Sequence, residues 1–169
     1  MQKRQIFVLW MIIFFIGHSY AHEGHHHDTK NTSDDKIKLA SASEKLSLQK
    51  INLSYKQNVK SIFVEKCMNC HSAEVNYPFY YFLPLVSNLI DSDISESKKH
   101  IDMTNDFPFF GHGTPREDLV AIRKVTEEGS MPPLRYRILH WGSKLSDDEK
   151  NKIISWTNVS EQILKEPGR

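Results

Sequence analysis

Cysteine is scarce in this chain. Its 169 residues contain two, Cys67 and Cys70, which excludes a disulfide-stapled scaffold. Charge of one sign is missing too: 22 Lys and Arg stand against 21 Asp and Glu. A net charge of +1, or −1 if a leader carrying Lys3 and Arg4 were removed, gives no electrostatic case for nucleic-acid binding. No apolar run reaches the roughly 20 residues that a membrane span needs. The longest, Ile6 to Gly17, stops at His18. Strand signals are weak and there is no internal repeat. With 39% hydrophobic and 25% charged residues, wholesale disorder is excluded as well.

What is present is sharper. The stretch "KCMNCHS", Lys66 to Ser72, spaces its two cysteines three apart and follows the second with His71. C-x-x-C-H is the attachment signature of c-type haem. On a helical turn the two sulfurs lie on one side, where they can form thioethers to the vinyl groups of one porphyrin. The histidine is then carried beneath the ring, with Nε2 available to iron. A disulfide or a thioredoxin-like redox pair is the competing use of two thiols, but the latter wants a βαβ context that the flanking sequence lacks. Zinc fails on ligand count, because no second cysteine pair completes a tetrahedral set.

The N-terminus has a basic start, "MQKRQ", an apolar run, and small residues in "SYA". That order predicts a signal peptide over residues 1–21, cleaved after Ala21, and hence an exported, periplasmic protein. A retained membrane anchor is the alternative. Residues 22–53, His-rich and then Lys-rich, read as a flexible tail or linker. A haem-binding domain of all-α class is expected over 54–165. Apolar residues at Ile51, Tyr55, Val59, Ile62 and Phe63 recur at helical spacing, and predict a helix from about Leu53 to Cys67. "NYPFYYFLPLVSNLIDSDI" is interrupted by Pro78 and Pro84, and its aromatics could wall a porphyrin. "NDFPFFGHGTP" reads as a loop.

Thr114, Pro115 and Glu117 then announce a helix by N-cap, first-turn proline and capping box, ending at Gly129. Its stripe is Leu119, Ile122 and Val125. Ser146 and Glu149 announce another, with Ile153, Trp156, Val159 and Ile163 as its buried stripe.

Six-coordinate iron needs a second axial ligand. Four candidates lie beyond the motif: Met131, His100, His112 and His140. Met131 sits in "EGSMPPLRY", between a glycine stop and two prolines that cannot continue a helix, so its thioether would be held in a stiff, extended loop. Sixty residues separate it from His71, enough for a helix to cross from one haem face to the other. It is the favoured ligand, with His140 the runner-up. A gap-filling core methionine is the plainer use of this residue type.

"IFVEKCMNCHS", "NYPFYYFLPLVSNLI", "KKHIDM", "EGSMPPLRYRILHW" and "LSDDEKNKIISW" together resemble the haem-binding domain family of bacterial monohaem c-type cytochromes. The similarity runs from about Tyr55 to Trp156. It implies a cytochrome c-like helical domain wrapped around one covalently attached haem c. It carries over Cys67, Cys70 and His71 as attachment and proximal residues, and Met131 as the distal ligand. Phe79-Tyr80-Tyr81 and the long loop Thr104 to Asp118 depart from the family pattern.

The expected function is one-electron transfer through a His/Met-ligated haem, without enzymatic activity, by weak and transient docking on redox partner proteins. A peroxidase-like or gas-binding haem protein with a labile methionine is the alternative, with His112 or His140 as its distal acid or base. A second alternative is copper or nickel handling by His22, His25, His26 and His27.

Overall fold

The computed structural model describes residues 30–166, and side chains from residue 41 onward. The expected signal peptide and the cluster His22 to His27 lie outside the described residues. The domain is mostly helical, in accord with the all-α expectation, with seven α-helices among the described residues. No helix there is long and apolar enough to cross a membrane.

The first three helices form one path with two breaks. Helix α1 spans Lys30–Asn58, α2 Lys60–Lys66 and α3 Met68–His71. The breaks fall at Val59 and Cys67, whose φ angles open to −130° and −122°. Hydrogen bonds from Val59 N to Tyr55 O and from Cys67 N to Phe63 O carry the path across both. Residues 30–53 are therefore helix, and the flexible-tail expectation is corrected for them. Ser47, Ile51, Tyr55 and Val59, all buried, recur every fourth residue and share one face. The lysines between them are good helix formers that point elsewhere.

That face packs on α7, Asp147–Lys165, which also pairs with α5, Pro115–Glu128. Both helices open on the capping boxes expected, Thr114 with Glu117 and Ser146 with Glu149. Helix α5 stops at Gly129 in the left-handed region (φ 63°), with Ser130 N donating to Val125 O. Arg123 of α5 reaches Glu161 Oε1 and Asn158 Oδ1 of α7, each at 2.7 Å. Leu119, Ile122, Ile153 and Trp156 are buried as expected, and Val125 only in part. Val159 is a correction, 50% exposed. Ile153, Trp156, Thr157 and Ser160 define the inward face of α7, and at about 100° per residue Val159 lies one step off it.

Between the two main parts runs the segment 101–114. Ile101–Asp102 (β1) and Phe110–Gly111 (β2) make a minimal antiparallel ladder, pairing Ile101 with Gly111. The intervening loop does more than connect. Met103, Phe107 and Phe109 enter the core, where Tyr55, Phe63, Phe107, Phe109 and Trp156 meet ring on ring at 5.4–6.2 Å. Lys56 and Lys60 both hold Asp106 from outside, at 3.0 and 2.8 Å.

The rest is built differently. A 3-10 turn, Phe79–Phe82, leads into α4, Pro84–His100, and α6 covers Leu134–Leu139. None of the three elements contains a buried residue.

Two measurements test this account. Phe63→Ala should cost about 3–5 kcal/mol in urea denaturation, since it removes a ring from the centre of the cluster. Asp118 is enclosed near the start of α5, where burial pushes its carboxyl from 3.8 to about 6. Its folded form therefore holds a proton more tightly than the unfolded chain does, and stability falls as pH rises through about 4 to 6. Asp118→Asn should flatten that part of a Tm-versus-pH curve.

Candidate functional site

The motif occupies the end of the α1–α3 path. Cys70 N and His71 N both bond back to Cys67 O at 3.1 Å, so the turn that carries the thiols also carries the imidazole. Both cysteines are free thiols. Burial pushes the Cys67 thiol up to about 12, with the charges of Cys70 and Glu149 adding to it. Burial also raises Cys70, helped by Asp93 and opposed by Arg135. Those two residues join α4 to α6 through a two-pronged pair, Nε to Oδ2 at 3.1 Å and Nη2 to Oδ1 at 2.5 Å.

His71 is fixed by its neighbours. Its Nδ1 lies 2.9 Å from the carbonyl oxygen of Ile101. A carbonyl only accepts, so Nδ1 carries the hydrogen and Nε2 keeps its lone pair. Burial holds the imidazole below the usual histidine range, partly offset by the backbone carbonyls of Ile101 and Ser97. A neutral imidazole with a directed second nitrogen is the form that binds iron. Met103 N donates to His71 O at 2.6 Å. At the other end of the motif, Lys66 Nζ bonds Glu65 and Gly142 O, and approaches Glu149 at the start of α7.

Apolar side chains are unusually exposed on either side of the motif. Large exposed apolar side chains concentrate in Tyr77 to Leu89 and in Met131 to Trp141, the two segments that flank the motif. Phe79 is 90% exposed and Trp141 91%. Contiguous apolar exposure of this kind marks a ligand or partner surface. A cavity of about 630 Å³ opens between these segments and the motif helices, lined among others by Val64, Met68, Asn69, Phe79, Tyr80, Tyr136, Leu139 and His140. A second, of about 450 Å³, lies along α4 beside Tyr77. Neither is lined by Cys67, Cys70, His71 or Met131.

The other candidates are dispersed. Met131 stands just beyond α5, 44% exposed, and its loop reaches the site through α6, which begins three residues later. His100 and His112 face each other on the outside, rings 4.9 Å apart, with His112 Nδ1 on Lys99 O and His100 Nε2 near Glu96. His140 does approach the motif, but both its ring nitrogens face protein partners: Tyr136 O at 2.9 Å and Tyr80 OH at 3.4 Å. Sequence reasoning missed Asn69, which lies between the cysteines. Its amide bonds Asn76 N, Asn76 O and Tyr136 OH. The i, i+4 spacing of Tyr136 and His140 was a readable signal for part of this cluster.

Comparison with known proteins agrees with this chemistry. The model of a family described as "haem-binding domain" matches residues 20–159. The chain belongs to that haem-binding domain family. This haem-binding domain is also 28% identical over 134 residues to cytochrome c peroxidase Ccp of Escherichia coli (strain K12). The match covers 78% of this chain and 26% of the relative, so the domain spans about a quarter of that protein's length. It is a haem-binding domain of c-type cytochrome character. No solved structure matches it.

Proposed function

We propose that this domain is an exported one-electron carrier. It would hold one haem c through thioethers at Cys67 and Cys70, with His71 and Met131 as ligands to its iron. The observation that carries the reading is the tautomer at His71. The Ile101 carbonyl occupies Nδ1 and aims the remaining lone pair from the same turn that bears both thiols. When bound, haem supplies reversible one-electron chemistry, and a thioether ligand favours the reduced state relative to a second imidazole.

The chain's residues do the rest. Burial keeps the imidazole neutral, and the Ile101 carbonyl orients it. The two segments rich in Phe, Tyr, Leu and Trp exclude water from the ring. Pro132 and Pro133 stiffen the backbone behind Met131. Partners would dock weakly, as electron-transfer encounters do.

A second reading is a peroxidase-like enzyme. The relative's name favours it, and so does the half-exposed position of Met131, which suits a ligand that leaves. Against it, the nitrogens of His140 are engaged, and His112 lies on the outer surface, so neither stands ready as a distal acid or base.

Cys67→Ala and Cys70→Ala should each leave at most one thioether and little stable holoprotein, read by intact mass and the pyridine haemochrome spectrum. Met131→Ala should retain covalent haem, lose the methionine-to-iron charge-transfer band in the red, and lower the reduction potential. An unchanged spectrum would remove Met131 from the ligand set. Exported protein that purifies colourless, at the mass of bare polypeptide, would end the carrier and enzyme readings alike.

A further inference from the structure

Helix α6 poses a problem of its own. It has six residues and none is buried, and a helix that short is unstable by itself in water. Something specific must fix it: besides the Arg135–Asp93 pair to α4, the described contacts supply a ring of side chains from three elements, closed through the backbone of Asn76. Asn69, on the motif helix, donates to Tyr136 OH at 3.3 Å. The Tyr136 ring stacks on His140, centroids 3.9 Å apart and planes within 10°. His140 Nδ1 donates to Tyr136 O at 2.9 Å, which leaves Nε2 to accept from Tyr80 OH in the 3-10 turn. At 3.4 Å this is the longest link. The segment that leads into that turn returns to Asn69 through Asn76, N to Oδ1 at 2.7 Å and O from Nδ2 at 3.3 Å.

We propose that His140 is a positioning residue. It closes the ring Asn69–Tyr136–His140–Tyr80, which seats α6 against the motif turn and thereby sets where the Met131 loop stands. Transmission is short. Pro133 is the N-cap of α6, Pro132 is buried, and Met131 comes next. Two consecutive prolines hold φ fixed, so a displacement of α6 moves the thioether with it.

Both nitrogens of His140 are committed to this ring, so its imidazole serves α6 and not iron. The ring thus decides how firmly the distal position is filled, and so where the domain falls between carrier and open haem protein. This last step rests on the proposed ligand role of Met131; the seating of α6 does not.

The test uses the haem-loaded protein, with variants Asn69→Ala, Tyr80→Phe and His140→Phe. Ile153→Val, a core change remote from the ring, serves as the general-destabilisation control. Hydrogen exchange read by mass spectrometry should be at least tenfold faster in the peptide covering residues 131–141 of the ring variants, while α5 and α7 keep their protection. Cyanide should bind their ferric form at least tenfold faster. The control should alter neither.

Tyr80→Phe removes one hydroxyl and keeps its ring, so it remains informative if His140→Phe yields no holoprotein. It should give a smaller effect in the same direction. Unchanged protection of residues 131–141 in the ring variants, or an equal loss in the control, overturns the proposal. If those residues lose protection selectively but the unaltered protein already binds cyanide as fast as the variants, the ring stands and Met131 is not the ligand.

Discussion

The motif turn is held by a three-residue strip of backbone, Ile101 to Met103. Ile101 accepts a hydrogen bond from the imidazole of His71, and Met103 donates one to its carbonyl oxygen. The side chain of Met103 is buried among the aromatic rings of the core. The strip therefore connects the most deeply packed part of the molecule to the histidine of the motif. One side-chain bond sets the tautomer, and one main-chain bond sets the position of the turn. A ligand whose own nitrogens were free to exchange roles would not present a single lone pair in a single direction.

From this strip the domain divides by packing quality. On one side α1, α2, α5 and α7 enclose a core of interlocked aromatic and aliphatic side chains, with cations closing over Asp106 and Glu161. On the other side the 3-10 turn, α4 and α6 contain no buried residue. They are joined by polar contacts: Tyr81 with Asp91, Asp93 with Arg135, Tyr80 with His140. The Asp93–Arg135 ion pair, being exposed, contributes little by itself. The second half is thus organised around the motif without a hydrophobic interior of its own, as expected of elements whose apolar faces are shaped for a large planar ligand. The small size of the domain makes such dependence natural.

Much of the first half was legible in the sequence because its signals are local. Thr114 with Glu117, Ser146 with Glu149 and Gly129 are capping chemistry, and the structure uses each as read. The stripe Ile51, Tyr55, Val59, Ile62 and Phe63 was equally plain and is buried throughout. What escaped was non-local. The first part of α1 looked like linker because its pattern is polar, mixed and rich in lysine, yet Ser47 and Ile51 are interior. Phe107 and Phe109 sit among glycine, proline and aspartate, which is loop composition, yet the core needs both rings. Val159 was placed inward on hydrophobicity alone, although the small polar pair Thr157 and Ser160 takes the interface.

At the site, the motif declared Cys67, Cys70 and His71, but nothing in its spacing foretold the partner of the imidazole, thirty residues away. The comparisons identify the family and leave individual side-chain roles to the geometry.

Gly111 gives this arrangement a vulnerable point far from any chemistry. It lies opposite Ile101 in the ladder with φ at 134°, and a β-carbon there would run into the carbonyl oxygen of His100. Relief would have to come from the neighbouring strand, whose next carbonyl orients the imidazole. A single methyl on the outer rim of the molecule would thus press on the strand that orients residue 71. Side chains are kept out of an outlying position by a backbone contact that leads, one residue on, to the imidazole.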